Sequence, residues 1–395
     1  MGIQTPKMLG DANKFNILNA LRKEEVISRV ELAKQIGMSS PAVSNNISRL
    51  LELGLVQSVG RGSADFGRKP TLLRFNKEFQ YVIGIDIGEE NIKLALGNLK
   101  SEIVCFLEVS VNTKAGASSV LEEAKKNIKS LLRKTGVELE KVGVIAISVP
   151  GLVDKETGKV SLSTIIDDFE GIDIYTFFTE AFNKPILVEN DVDMAIVGEH
   201  FVRHNDGCDN LLFVKMGIGM ASRIMISGKM YRGTNHAAGE IGYMLIDSQF
   251  IRKKFHSRGA LEQVICNTGI DTFYRAECEK AGIKCNVNEM ITLAKLIDME
   301  SKGDEIAQSV LSLTLNYLSM ALVNAISILD VNLIVLGGDL ECLSEANILS
   351  ISKFCQWHIP FVPRIVTSKL GGAAGIGGCI CTGVKLLEEE WAKYW

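Results

Sequence analysis

The chain of 395 residues lacks a cysteine framework, an export leader and a membrane-length apolar run, and each absence excludes a class of protein. Nine cysteines are scattered without the spacing of a disulfide scaffold, which predicts a reducing compartment where they serve as small buried apolar residues. The isolated pair Cys379 and Cys381 sits in a Gly-rich segment with no companion ligands and reads as structural. The opening MGIQTPKMLGDANKF has no apolar signal core, and the hydrophobic runs are broken by Gly and charge. A cytoplasmic location with no membrane partner is the expectation.

What the chain does contain is material for a large core, 47% hydrophobic against 23% charged, enough for two or three domains. Its net charge of −4 suits a nucleic-acid partner poorly until it is divided. Residues 1–80 carry 12 basic and 7 acidic side chains, a net +5, and the remainder carries −9. A basic head on an acidic body is the asymmetry expected of a DNA-facing domain.

The head has matching local signals. Phe15, Leu18 and Leu21 share one helical face between Asp11 and Leu21. Ser28-Arg29-Val30-Glu31 is a capping box opening a second helix with apolar positions Val30, Leu32, Ala33 and Ile36, and Gly37 supplies the stop. A third helix is expected to open at Ser40-Pro41, with Ser40 as N-cap, and to end at Gly54. Helix, glycine turn and helix place the later helix in a major groove. Val43, Ile47, Leu50 and Leu51 face inward there. Ser40, Ser44, Asn45 and Ser48 are left outward, with Asn46 and Arg49 on the flanks: short hydrogen-bonding groups for base edges and a cation for phosphate. Residues 55–59 and 71–75 read as strands joined by GRGSADFGRKP, a basic wing carrying Arg61, Arg68 and Lys69. The head is therefore read as a winged helix-turn-helix over residues 1–79.

From Tyr81 the pattern changes to an α/β body, residues 80–395. YVIGIDIG, NIKLALGNL and EIVCFLEVSV form an expected meander, followed by a helix near 118–134, the strand VGVIAISVPG, a helix at 175–182 and the strand PILVEND. A second β-rich stretch runs through LLFVKMGIG and ASRIMISGKMYRG into a mainly helical region. Late Gly-rich turns lie at 334–339 and 370–378.

The motif order resembles the ROK family of repressors, open reading frames and sugar kinases. The matching pieces are GIDIG at 84–88, SVPGLVD at 148–154, VENDVDMAIVGE at 188–199, GKMYRG at 228–233, AGEIGY at 238–243 and GALE at 259–262. With the head in front, the likeness covers almost the whole chain and is strongest to the xylose-repressor-like branch. It implies a two-lobed actin/hexokinase-like (sugar kinase-like) domain. By resemblance the catalytic base would be Asp191; the alternative is that Asn190 or Asp191 merely caps the following helix.

The phosphate loops depart from the family pattern. Gly-Gly-Thr after DIG is replaced by Glu89-Glu90-Asn91, whose carboxylates repel a triphosphate. The second loop, Gly-Thr-Gly-Ile-Gly in the family, reads Lys215-Met216-Gly217-Ile218-Gly219. Asp86 remains. The family zinc ligands are replaced by Tyr243, Lys253, Phe255 and Ala260, while His236 and His256 lack ligand spacing. Neither metal nor nucleotide cofactor is expected.

The resemblance assigns sugar contacts to Asn190, Asp191, Glu240, Tyr243 and Glu262, of which all but Tyr243 keep the family type. It implies an operator-binding homodimer or tetramer, released from double-stranded DNA when a small sugar binds, that regulates carbohydrate-utilisation genes. The competing readings are an ATP-dependent sugar kinase with a DNA-binding appendage, and an effector-free DNA-binding protein whose body serves dimerisation.

Overall fold

Short periodic segments separated by glycine stops build the first elements of the fold. The computed structural model describes residues 6–61, 70–154, 157–161, 166–203, 206–235, 237–254, 258–285 and 288–394. Two compact units result: Met1–Asn190 with Cys379–Trp395, and Asp191–Gly378.

The first unit opens with α1 (Pro6–Lys23), β1 (Ile27–Ser28), α2 (Arg29–Ile36), α3 (Ser40–Glu52), β2 (Val56–Arg61) and β3 (Thr71–Phe75). The capping box forms: the Glu31 amide donates to Ser28 Oγ at 3.3 Å and the Ser28 amide to Glu31 Oε2 at 3.0 Å. Gly37 ends α2 at φ 66°, a left-handed value that a Cβ would oppose. Two local expectations change. The N-cap of α3 is Ser39 rather than Ser40, and its side chain makes no cap bond. Val30, read as an apolar inward position, is 53% exposed, because two residues of helix turn it roughly 160° away from the fully buried Leu32. Leu18, Leu32, Val43, Ile47, Leu50 and Leu73 are fully buried and hold the three helices to the sheet β1-β3-β2. Each such aliphatic side chain contributes roughly 1.5–3 kcal/mol on leaving water. Residues 62–69 of the wing, with Arg68 and Lys69, lie outside the described residues, as does the side chain of Arg61.

The same unit continues through the antiparallel meander β4 (Tyr81–Ile87), β5 (Asn91–Asn98) and β6 (Ile103–Ser110), as the sequence suggests. Next come α4 (Ala117–Thr135), β7 (Val142–Val149), the short ribbon β8 (Leu152–Val153) and β9 (Val160–Ser161), α5 (Ile174–Phe182) and β10 (Ile186–Asn190). β7 adds parallel to β4 and β10 parallel to β7, giving the order β10-β7-β4-β5-β6. The 3.6-residue stripe Val120, Leu121, Ala124, Ile128 and Leu131 of α4 packs into the core of this sheet.

The second unit contains α6 (Asp191–Val202), β11 (Leu211–Met216), β12 (Met220–Ile226), β13 (Lys229–Tyr231), α7 (Glu262–Ile265), α8 (Asn267–Lys280), α9 (Leu293–Ser301), α10 (Glu305–Leu329), β14 (Leu333–Gly338), α11 (Glu345–His358) and β15 (Arg364–Thr367). Its sheet, β13-β12-β11-β14-β15, repeats the strand order of the first: a three-stranded meander, with two further strands added parallel beside its first strand. Helix α10 is a longer apolar run than the sequence reading allowed. Its 25 residues are long and apolar enough to cross a membrane, yet 56% of its most apolar window is buried, with Val310, Leu311, Leu318 and Leu322 in the unit's core.

The last helix, α12 (Ala374–Ala392), is unbroken, with its first turn assigned to the second unit and the rest to the first. Within the first unit its end rests on the head. Glu388 pairs with Arg22, whose guanidinium lies 4.8 Å over the Phe75 ring. Trp391 meets Phe79 edge-on at 6.3 Å and donates from Nε1 to Gln80 Oε1 at 3.0 Å. Cys379 is fully buried in this helix and burial pushes its thiol well up, in keeping with a packing role.

Candidate functional site

The outward face of α3 carries the residues read as DNA contacts. Ser40, Asn45, Ser48 and Arg49 are exposed, and Ser44 and Asn46 are half-buried. Several already hold internal partners. Ser44 Oγ accepts from Arg29 at 2.9 Å, Asn46 donates to the Ala42 carbonyl at 2.8 Å, and Ser48 donates to the Ser44 carbonyl at 2.9 Å. Arg49 is shared between Glu52, at 3.1 Å, and the Tyr394 carbonyl, at 3.0 Å. Local i to i−4 bonds by Asn46 and Ser48 are the usual alternative for short polar side chains on a helix and yield to a better external partner. Arg29, at the start of α2, escaped the sequence reading. Only its reach across to Ser44 marks it as belonging to this face.

The other set gathers in the second unit around the first turn of α6. Asp191 opens the helix, and Lys215 at the end of β11 donates from Nζ to Asp191 Oδ2 at 2.6 Å. Two residues on, Asp193 is buried between two guanidinium groups. Arg223 donates from Nε to its Oδ1 at 2.5 Å, and Arg232 pairs with its Oδ2. Arg223 also donates to Glu240 Oε1 at 3.1 Å and to the Ser222 carbonyl at 2.7 Å. Burial disfavours the Arg223 charge, yet Asp193 and Glu240 outweigh it and hold this guanidinium firmly protonated.

Glycines bring the remaining members close. A Cβ on Gly259 would fall 2.0 Å from the Gly242 carbonyl oxygen and 2.5 Å from the Tyr243 Cα, so these two turns touch backbone to backbone. Glu262 fits the notch this makes. A Cβ on Gly219 would meet its Oε1 at 2.8 Å, and the Gly259 amide donates to its Oε2 at 3.3 Å. Burial pushes the Glu262 carboxyl up, only partly opposed by the Gly259 amide and by Arg258, whose Nε lies 3.9 Å away. Tyr243, on the 3-10 turn Ile241–Tyr243, is half-exposed.

Four of the five residues assigned by resemblance to sugar contact thus lie in one unit, three of them, Glu240, Tyr243 and Glu262, on adjoining turns. Asn190 ends β10 in the other unit, where it donates to the Gly151 carbonyl at 2.8 Å. Asp193, Arg223 and Arg232 were missed by the sequence reading; the one available signal was the third carboxylate of Glu189-Asn190-Asp191-Val192-Asp193. The Lys215–Asp191 contact joins positions 24 residues apart and has no local signature. Of the positions that replace zinc cysteines, Ala260 is buried in the core and Lys253 is exposed over the Phe250 ring; Phe255, His236 and His256 lie outside the described residues.

In the first unit, the turn after β4 leaves Glu89 and Glu90 exposed beside a groove of about 230 Å³ lined also by Asp86, Gly88, Asn91 and Lys93. Asp86 is held by Ser148. Three carboxylates against one ammonium make this a poor cradle for phosphate.

Comparison with known proteins agrees with these features. The family model described as ROK family matches residues 82–381, and that described as winged helix-turn-helix DNA-binding matches residues 11–57. The chain is similar to the xylose repressor of Caldicellulosiruptor bescii, 25% identical over 386 residues, covering 94% of this chain and 95% of that one. Among solved structures it resembles a ROK family transcriptional regulator homologous to the E. coli MLC protein, with a TM-score of 0.78 at 22% identity over 96% of this chain and 98% of the other. A ROK hexokinase from Thermus thermophilus shares the fold of the body, with a TM-score of 0.66 at 19% identity over 78% of this chain and all of that one.

Proposed function

The chain belongs to the ROK family, and on that premise we propose that it is a DNA-binding repressor of carbohydrate-utilisation genes whose operator affinity is set by a small sugar. The observation that carries this reading is the union of a winged helix-turn-helix with a kinase-like body in which Lys215 engages Asp191, the residue assigned as the base. An aspartate committed to an ammonium serves recognition better than proton abstraction, and the acidic turn after β4 is unsuited to a triphosphate.

The head reads a roughly palindromic operator as a homodimer, since two-fold protein symmetry matches two half-sites. Asn45, Ser40, Ser44 and Ser48 address base edges, with Asn46, Arg49, Arg61, Arg68 and Lys69 directed to the backbone or the adjacent groove. Asn190, Asp191, Glu240, Tyr243 and Glu262 hold the sugar hydroxyls; carboxylates, an amide and a phenol supply the acceptors and donors that vicinal hydroxyls need. The sugar acts by binding the operator-free state more tightly than the operator-bound state. The setting is the cytoplasm.

Fluorescence anisotropy with DNA from upstream of the protein's own gene tests this. Binding should weaken steeply with salt, and Asn45→Ala should weaken it by about 1–3 kcal/mol. D-xylose, D-glucose or N-acetyl-D-glucosamine should lower the affinity at least about fivefold, the scale of an ordinary allosteric coupling. Operator binding indifferent to all three would leave only the effector-free reading. The retained Asp191 and the shared hexokinase fold favour a second reading, a sugar kinase. ADP release with hexoses, abolished by Asp191→Asn, would establish it.

A further inference from the structure

The carboxylates around the first turn of α6 are matched, one after another, by cations. Asp191 faces Lys215 at 2.6 Å, and Asp193 sits between Arg223 and Arg232. Glu240 meets Arg223 at 3.1 Å, and Glu262 has Arg258 at 3.9 Å. Arg223 and Asp193 are buried, so their portion of the network is fixed. Lys215 differs: its side chain is 36% exposed, and it ends on a single flexible ammonium beside the helix-opening Asp191.

The fold makes room for this lysine. In the β11–β14 ladder Lys215 stands opposite Gly337, and a Cβ on the next residue, Gly338, would press on Lys215 Cγ at 3.2 Å. The stem therefore passes close over Gly338, while the Phe213 ring occupies the space over Gly337. A second carboxyl, Asp339, is pushed up by burial; Asn267, which donates to it at 2.7 Å, and Lys215 itself oppose that shift.

We propose that Lys215 is the specificity-determining residue of this cluster: its pairing with Asp191 balances the charge, so that the site takes an uncharged polyol and discriminates against both cationic and anionic sugars. This rests on the sugar-sensing reading above and deepens it. A hydroxyl can donate to a carboxylate and accept from an ammonium, two charge-assisted bonds that need no net charge on the ligand. A charged ligand entering a balanced, partly buried site loses hydration without gaining a counter-ion. The cluster lies wholly within the second unit, so the inference needs no particular arrangement of the two units.

The test is a charge-swap cycle on the full-length protein, using D-glucose, D-glucosamine and D-glucuronate, which share a ring and differ in charge. Dissociation constants are measured by calorimetry for the wild type, Lys215→Met, Asp191→Asn and the double variant. Wild type should bind glucose at least about tenfold more tightly than either charged sugar, the scale of one partly screened charge contact. Lys215→Met, leaving the aspartate uncompensated, should shift preference toward glucosamine by about tenfold, and Asp191→Asn should shift it as far toward glucuronate. The double variant, neutral again, should return to the wild-type order even if its overall affinity falls, and thermal melting confirms that each variant is folded. Binding with selectivity unchanged in both single variants overturns the role of Lys215 and leaves the sugar reading standing. D-xylose and N-acetyl-D-glucosamine are titrated alongside; failure of every form to bind any of the five sugars overturns the sugar reading itself, and this inference with it.

Discussion

The two five-stranded sheets repeat one strand order but finish their first turns differently. After β4 the chain turns through Gly88, Glu89 and Glu90, leaving exposed carboxylates beside Asp86. After β11 it turns through Gly217, Ile218 and Gly219, with Lys215 just before the turn reaching an aspartate. A shared topology fixes where a turn lies; the residues in it decide whether charge is shed to solvent or compensated inside. The first turn sets three carboxylates beside one ammonium. The second has gained an internal counter-ion.

That contrast predicts effects of very different size. Arg223→Met should be the most damaging change, because it takes the guanidinium from Glu240 and leaves the buried Asp193 with Arg232 in place of two cations. A loss of about 3–5 kcal/mol in urea unfolding is expected, as for breaking a buried pair. Gly259→Ala should destabilise by about 1–3 kcal/mol, since its methyl group would force the touching backbone turns apart. It should also weaken sugar binding, because the Glu262 notch opens with it.

A smaller effect is a difference in pH dependence. Burial raises the Glu262 carboxyl above its unfolded value, so its contribution to stability is complete below the ordinary carboxylate range. That contribution is lost as pH rises through the folded value. The stability of the wild type relative to Glu262→Gln should therefore decline as pH rises from the ordinary carboxylate range through the raised folded value. Glu31 in the head has the opposite sign. Hydrogen bonds from Ser28 lower its carboxyl, so its contribution is lost on acidification. A profile for Glu262→Gln parallel to that of the wild type would mean the carboxyl is not confined as described. The smallest effect belongs to the first turn. Replacing Glu89 and Glu90 with glycine should change stability by no more than about 0.5 kcal/mol and leave sugar affinity unaltered. A large loss there would erase the contrast between the turns.

Much of the architecture was legible locally. The Ser28–Glu31 capping box, the Gly37 stop, the stripe of α4 and the β4–β6 meander each depend on residues a few positions apart. Single-position details were less so: Ser39 displaced Ser40 as the cap, and Val30 turned outward, because the start of a helix depends on what packs against it. The site divides in the same way. Asp191, Glu240 and Glu262 could be named from short motifs. The cations that answer them could not, since Lys215 and Arg223 meet their partners only through the pairing of β11 with β12 and the approach of α6. Hydrophobic periodicity carries no record of such long-range charge pairing.

Helix α12 has a consequence for the order in which the molecule can be completed. The partners of Arg22, Phe79 and Gln80 lie on Glu388 and Trp391, which a ribosome makes only after every strand of the second sheet. A nascent head therefore waits through most of synthesis with Arg22 held, among the described residues, only by Asn19 and the Phe75 ring, and with Phe79 not yet covered by Trp391. The contacts that join the head to the C-terminal helix are therefore among the last that a growing chain can make.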